Sequence, residues 1–505
     1  MGNVAKVITV APIGFDGHII EVESDMTKGL PSLQIVGLAN KSIDEAKERV
    51  KSAIANTLLE YPPRRLTVNL APAELPKDGT HYDLPIALAV LTSSGQLRQS
   101  ELAHSAFAGE LALDGTVRPI SGVITIAETA RSAGLTTLFL PTANVAQAQL
   151  IKDIDIIGVD SLKSLYLHLK GEVKLLPTTI TSKEETSKRK SSPLLDDIYG
   201  QEQAKRALTI AAAGHHNILF TGTPGAGKTM LAKTIVGLLP PLSPEEQLEA
   251  TKLHSLAGTL IDDVVRHRPF RSPHHTSSQI SLVGGGVKPR PGEISLAHHG
   301  VLFLDEIPEY PRNVLESLRQ PLEDHVISVA RVSGRANYPA HFMLVATMNP
   351  CPCGYYGDPE HECSCSTIQI INYQKRLSGP LLDRIDMVIP VSRIPNELLL
   401  DKKSMSSKQH DEAQNAITLA KQKQLNRYKS SMKNNSSLSS SDIKKLIPLS
   451  DETKSFLDSA ATKLKLSARG YFKVIKVART IADLTGDEQV AIPHLAEALQ
   501  YRGNS

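Results

Sequence analysis

Tryptophan is absent from this chain, and aromatic residues make up only 4% of its 505 positions. A broad base-stacking platform is therefore not expected, and any grip on nucleic acid is expected to run mainly through phosphates. An excess of one charge is lacking too. The net charge is +3, so a nucleic-acid surface would have to be local, a lined channel or a loop. No apolar run reaches the roughly 18 residues that a membrane-spanning helix needs. The first residues hold only short apolar runs that lead straight into strand patterns, so no secretory leader and a cytoplasmic location are expected. Cysteine is scarce, and its four copies are Cys351, Cys353, Cys363 and Cys365. A disulfide framework would spread them along the chain, whereas this cluster points to metal.

What is present is an ordinary soluble composition, 41% hydrophobic and 22% charged, in a chain long enough for roughly two to four domains. Residues 1–170 read as one α/β domain. Val4 to Val10 and His18 to Val22 suggest a strand pair, and Ser42 to Leu58 a helix opened by a capping box of Ser42 and Glu45. Arg65 to Leu70 suggests a strand, followed by an apolar helix from Leu84 to Leu91. Phe107 to Val117 suggests a hairpin turning at Asp114 and Gly115, followed by a helix from Ile124 to Ala133 and a strand from Thr136 to Leu140. Residues 171–193 are rich in Thr, Ser, Lys and Glu and read as an exposed linker. Its basic cluster, Lys188, Arg189 and Lys190, is either a solvated run or a DNA contact. Residues 194–395 resume the βα pattern. Residues 396–445 form a polar linker region with one helix near Asp411 to Tyr428, and Ser430 to Ser441 reads as a mobile low-complexity stretch. Residues 446–505 are helical. Val474, Ile475, Ala478, Ile481 and Ala482 mark one helix face that stops near Gly486, and Pro493 opens a last helix.

Gly222, Thr223, Pro224, Gly225, Ala226, Gly227, Lys228 and Thr229 fit G-x-x-x-x-G-K-[ST] between an apolar strand, Asn217 to Thr221, and a helix, Met230 to Leu239. Glycines let backbone N–H groups close around phosphates, and the helix start favours their charge. Lys228 is the candidate for the β- and γ-phosphates and Thr229 for Mg²⁺. The apolar run Val301 to Leu304 reads as a buried parallel strand that delivers Asp305 and Glu306 at its carboxyl end, where ligands bind in open α/β sheets. Asp305 is the second Mg²⁺ candidate and Glu306 the general base for the attacking water. ATP and Mg²⁺ are the cofactors expected.

A second buried strand, Phe342 to Thr347, ends at Met348 and Asn349. Together with the segment Ile198, Tyr199, Gly200 and Gln201, these motifs resemble the AAA+ superfamily. The resemblance implies that Tyr199 and Gly200 lie on the adenine side and that Asn349 sits beside the γ-phosphate and the water. The run from Ser378 through Asp383, Arg384 and Asp386 is similar to the arginine-finger segment of the clade that includes MCM helicases and magnesium chelatases. Arg384 would then act on a neighbour's ATP. Its alternative is a salt bridge within the chain to Asp383 or Asp386. Arg469, after Ser467 and Ala468, resembles sensor 2, with Arg479 as competitor.

The stretch between the two nucleotide motifs includes His267 to His275 and Gly284 to Arg290. It resembles the helix-2 insert of the same clade, and Ile327 to Tyr338 resembles its pre-sensor-1 hairpin, with a turn at Ser333 and Gly334. Lys288, Arg290, Arg331 and Arg335 are the candidate DNA phosphate contacts; subunit contacts are the alternative for some of them. His274, His275, His298 and His299 meet no metal-ligand spacing and read as packing residues. The cysteines give C-x-C-x9-C-x-C, a pattern that can build a tetrahedral Zn²⁺ site. His361 in place of one thiolate, an iron–sulfur cluster, or four unmetallated cysteines are the alternatives.

Leu75, Pro76, Lys77, Asp78, Gly79 and Thr80, before an apolar helix, resemble the catalytic-serine segment of Lon-type proteases. The serine falls near Thr80 or His81, and the lysine, in the segment Gly122 to Ile124, is replaced by an apolar residue, so the dyad is missing. The whole chain resembles the magnesium-chelatase-like AAA+ family of the ComM/YifB type. That resemblance implies an α/β chain with a Lon-protease-like N-terminal α/β domain, an AAA+ P-loop core with a helix-2 insert, a pre-sensor-1 hairpin and a cysteine insert at 351–365, and a C-terminal helical lid. It further implies a cytosolic homo-hexameric ring on single-stranded and branched DNA. Such a ring would be an ATP-driven helicase that promotes branch migration in natural transformation, working with recombination proteins and without a membrane. A chelatase-like or protein-remodelling ATPase is the alternative.

Overall fold

The computed structural model describes residues 4–37, 41–57, 59–177, 193–260, 264–286, 290–331, 334–393, 408–430 and 432–502. The chain divides into two compact units: residues 1–185, 247–265 and 328–338, and residues 186–246, 266–327 and 339–505. Most of the sequence-predicted linker 171–193, with Lys188, Arg189 and Lys190, lies outside the described residues, as does Lys288.

The first unit is built on strands β1 (Ala5–Ile13), β2 (Asp16–Thr27), β3 (Ser32–Val36), β4 (Arg65–Ala71), β5 (Ser105–Phe107), β8 (Thr137–Pro141) and β9 (Asp155–Val159). They form one sheet in the order β3-β4-β2-β1-β5-β8-β9. The β1–β2 and β2–β4 pairs are antiparallel, and the remaining pairs are parallel. Parallel pairs need helical crossovers, which include Asp83–Ser93 and Val123–Ser132. The Asp83–Ser93 helix is buried from Asp83 to Leu91 and carries the core. Glu110–Leu111 (β6) and Val117–Arg118 (β7) pair beside the sheet, with Gly115 at φ +86 in the expected turn. The first helix begins at Lys41, so Ser42 lies inside it rather than at its cap. Residues 247–257 also belong to this unit, where Lys252 pairs with Glu128 at 2.6 Å and Gly122 N–H donates to Ser255 Oγ at 3.2 Å.

In the second unit, β10 (Ile218–Thr221), β11 (Phe270–Arg271), β14 (Val301–Leu304), β17 (Met343–Met348) and β18 (Met387–Pro390) form an all-parallel sheet ordered β11-β14-β17-β10-β18. β14 and β17 are buried at every position, as strands covered on both faces are. Gly284–Gly285 (β12) and Arg290–Pro291 (β13) form a small ribbon. Val326–Arg331 (β15) and Gly334–Pro339 (β16) form a further two-stranded sheet, where the sequence suggested a hairpin; its residues 328–338 belong to the first unit. Helices Asp451–Lys463, Ala468–Thr485 and Ile492–Gln500 follow the predicted pattern, with Gly486 at φ +96 capping the second and Pro493 opening the third.

Two readings of the polar region change. Helix Gln409–Tyr428 buries Ile417 and Ala420 in the core of this unit. The stretch Ser430 to Ser441, read as mobile, is packed at Asn434, Asn435 and Leu438. Asn435 is fully buried; its amide donates to Thr480 Oγ1 and Asp483 Oδ2, and its N–H to Gln424 Oε1. Ser439 caps the helix Ser440–Leu446. A polar composition hides such a segment because burial is tolerated once each polar group is bonded.

Candidate nucleotide site and metal centre

The three interior strands of the second unit's sheet, β14, β17 and β10, bring the candidate residues together at their carboxyl ends. β10 pairs with β17 through Thr221 and Met348, and β14 pairs with β17 through Leu304 and Ala346. The phosphate-binding loop, Asp305–Glu306 and Asn349 therefore leave adjacent strand ends together, the place where such sheets bind ligands. Gly222 has no room for a side chain, since a Cβ would lie 2.1 Å from Val391 O. Gly227 at φ +86 starts the helix Lys228–Leu238. Ala226 is buried, with Thr223, Pro224 and Gly225 forming the rest of the bend. Tyr199 and Gly200 are half-buried before the helix Glu202–Gly214, and Gln201 Nε2 donates to Ser392 O just beyond β18.

Lys228 Nζ donates to Gly222 O at 2.6 Å, Thr223 O at 2.8 Å and Asn349 Oδ1 at 3.0 Å. Burial pulls its ammonium below the ordinary lysine value, while Asp305 and Glu306 pull it back up. Asn349 Nδ2 in turn donates to Glu306 Oε1 at 3.4 Å. The amide thus links the Lys228 ammonium to the Glu306 carboxylate. Thr229 Oγ1 lies 3.3 Å and 3.5 Å from the two Asp305 oxygens. A hydroxyl beside a carboxylate suits Mg²⁺, and these two residues would hold it. Thr347 was not singled out from the sequence, where it only ended an apolar run. Its hydroxyl donates to Asp305 Oδ1 at 2.5 Å and accepts from Glu306 N–H at 2.9 Å. Glu306 sits at φ +50, and that bond holds its backbone in place.

The four cysteines converge. Cys351 Sγ lies 3.4 Å from Cys353 Sγ and 3.7 Å from Cys363 Sγ, and Cys353 and Cys363 are 3.6 Å apart. All four sulfurs fall within 4.8 Å of one another. A tetrahedron with Zn–S bonds of about 2.3 Å has edges of about 3.8 Å, so the spacing fits zinc. Backbone N–H groups of Tyr356 and Cys353 point at Cys351 Sγ and Cys365 Sγ, as second-sphere donors to thiolate ligands do. His361 stays out of the group: it stacks on Tyr355 and lies 3.4 Å from Asp358.

Arg384 pairs with neither Asp383 nor Asp386. Its guanidinium meets Glu323 Oε2 and donates to Arg319 O and Pro380 O. Arg469 takes the other oxygen of Glu323, at 2.8 Å. Both arginines line a cavity of about 500 Å³ with Lys473 and Lys476; the bonds they make in this chain do not reach Lys228, Asp305 or Asn349. Arg479 is buried and bonds to Asp483, Asp487 O and Glu488 O, which makes it a brace within its helices. Asp386 is the partner of Lys473 at 2.9 Å, and Asn217 N–H donates to it. Burial raises its pKa, but Lys473 and His216 outweigh this and hold the carboxyl well below the usual range.

Arg290 is exposed on β13, whereas Arg331 and Arg335 lie on β15 and β16 with side chains outside the described residues. His274 and His275 pack ring to ring, as do His298 and His299, and His298 Nδ1 accepts from His341 N–H. In the first unit, Thr80 Oγ1 donates to Glu110, Lys77 is buried and donates to Pro72 O, and Ile124 is fully buried. At the two positions matched to the Lon-type dyad the chain carries Thr80 or His81 and Ile124, not serine and lysine.

Family models match along the chain: magnesium chelatase subunit ChlI at residues 194–399, subunit ChlI of Mg-chelatase at 22–144, and the ChlI C-terminal model at 407–502. Competence protein ComM of Haemophilus influenzae is 42% identical over 503 residues, covering 99% of this chain and 97% of that protein. YifB of Escherichia coli is 41% identical over 504 residues, with 99% and 97% covered. A weaker likeness, 28% over 163 residues, covers 31% of this chain and 20% of the Lon protease of Mycolicibacterium smegmatis.

Proposed function

Since the chain belongs to the magnesium-chelatase-like family of ComM and YifB proteins, we propose that it is an ATP-hydrolysing ring motor that moves along DNA. Its task would be branch migration of recombination intermediates during natural transformation, as a cytoplasmic homo-hexamer. The observation that carries the ATPase reading is the chain of contacts from Lys228 through Asn349 to Glu306, with Thr229 and Asp305 alongside. Lys228 binds the β- and γ-phosphates. Thr229 and Asp305 hold Mg²⁺, which supplies charge neutralisation for phosphoryl transfer. Glu306 orients the attacking water and takes its proton, and Asn349 fixes that carboxylate relative to Lys228.

Arg384 and Arg469 engage a neighbour's nucleotide in this reading. Its support is their shared position on Glu323, with no bond to their own chain's phosphate-binding loop. DNA as the track is supported by the name of the Haemophilus relative, a competence protein, and by Arg290, Arg331, Arg335 and Lys288 as basic positions for phosphates. The cysteines hold zinc as a structural ion. A chelatase-like role is favoured by the matched models alone. ATPase assays with DNA, and separately with porphyrin-binding partner proteins, separate the two. Stimulation by DNA alone supports the motor, and stimulation only by the porphyrin partner rejects it.

A further inference from the structure

Residues 351–365 form a loop without helix or strand, and within it only Cys351 and Gly354 are buried. A segment of this length with so little apolar burial has no core of its own to offset the entropy of ordering. Its outer half is tied by exposed polar contacts, such as Arg393 with Glu360 at 3.3 Å. Its inner half is organised around the four sulfurs. The turn there is tight: Gly354 N–H donates to Cys351 O at 3.0 Å, with Gly354 at φ +88.

That turn presses on the phosphate-binding loop. A Cβ on Gly354 would stand 2.6 Å from both Cδ and Cγ of Pro224, so the Gly354 backbone packs on the Pro224 ring with no room for a side chain. Pro224 follows Thr223, whose carbonyl, like that of Gly222, accepts from Lys228. A cavity of about 460 Å³ is lined by Gly222 and Thr223 of the phosphate-binding loop together with Tyr356, Asp358 and Glu360 of the cysteine loop. The Tyr356 ring is exposed along it.

We propose that a metal ion on Cys351, Cys353, Cys363 and Cys365 braces the phosphate-binding loop through the contact of Gly354 with Pro224, so that nucleotide affinity depends on metal occupancy. The cysteine loop is then a wall of the nucleotide site, and Tyr356 is the side chain it offers to a bound nucleotide. Without the metal, the turn at Gly354 loses its anchor and Pro224 its backing. The phosphate-binding loop then has to be ordered by the nucleotide itself, which lowers affinity. The inference rests on the ATP-binding and metal readings of these two sites.

The test uses the full-length protein. Zinc per chain is counted first, and about one is expected. A fluorescent ATP analogue is then titrated into loaded, chelator-stripped and zinc-restored samples. Stripping is expected to raise the nucleotide Kd about tenfold or more, with recovery on restoring zinc. Gly354→Ala keeps all four thiols, so it is expected to retain zinc and still lose about tenfold in affinity. Circular dichroism shows whether stripped protein is folded; if it is not, Gly354→Ala still tests the route through Pro224, and the metal dependence is read from samples of graded, partial zinc occupancy that remain folded. Protein purified without zinc overturns the metal reading. Zinc-loaded wild type that binds no ATP analogue overturns the nucleotide reading. Zinc in the purified protein, with equal nucleotide affinity in the loaded, stripped and restored samples, overturns the coupling and leaves both readings standing. Loss on stripping with an unaffected Gly354→Ala overturns the route through Pro224.

Discussion

Lys228 Nζ lies 3.0 Å from Oδ1 of Asn349, which joins the end of β17 to the start of the helix after the phosphate-binding loop. The same amide donates to Glu306 at 3.4 Å. Its oxygen faces the cation and its nitrogen the carboxylate, so one side chain bridges Lys228 and Glu306.

Asn349→Ala should keep nucleotide affinity and lose about 10²–10³-fold in kcat, the usual cost of one positioned polar group in a transition state. Lys228→Ala should lose nucleotide binding outright. Steady-state kinetics with a binding titration check both; an Asn349→Ala enzyme with unchanged kcat contradicts the assignment.

Arg384→Ala should bind ATP normally and turn it over about 10³–10⁵-fold more slowly, as trans-acting arginines do. Mixing Arg384→Ala with Lys228→Ala subunits should restore part of the activity, because one supplies the site and the other the arginine. Normal turnover in Arg384→Ala alone, or no recovery on mixing, rejects the role in trans.

Asp386→Ala should destabilise the second unit. Lys473, half-buried beside it at 2.9 Å with its ammonium shielded from solvent, would lose its counter-charge, and breaking a buried pair by one partner costs about 3–5 kcal/mol. The folded carboxyl is held below its usual range, so its contribution is present above the unfolded pKa of about 3.9 and fades as pH falls through the folded value. Thermal melts of the variant at pH 7 should show a clear loss, and a melting temperature equal to wild type contradicts this.

His81 supplies a pH dependence of the opposite chemical kind. Burial is the main cause that lowers its pKa to about 4, so the folded state resists the proton that the unfolded chain takes up below about 6.5. Stability of the first unit should therefore fall as pH drops from about 6.5 to 4, by about 1.4 kcal/mol per unit for this group. Melts of wild type and His81→Leu across that range should diverge; parallel curves would exclude His81 as a source.

How much of this was legible in the sequence depends on where each constraint lies. Short-range chemistry was readable: the glycines around Lys228, the apolar run before Asp305 and the paired cysteines each carry their own spacing. Contacts set by the fold were not. Thr347 is a polar residue at the end of a buried strand, and only its register beside β14 turns it into the partner of Asp305. Glu323 sits in an unremarkable polar run until the fold places Arg384 and Arg469 on it. The stretch after Ser430 was misread because composition reports exposure, whereas Asn435 is buried with its hydrogen bonds satisfied. Ser42 was misplaced by one turn signal, since the helix starts at Lys41.

The most direct test of a DNA motor is the ATPase rate of the purified protein with and without single-stranded and forked DNA, at two salt concentrations. Strong stimulation that weakens as salt rises is the expected result, since phosphate contacts release counterions. An ATPase that ignores DNA at both salt concentrations would leave the nucleotide site standing and contradict DNA as its track.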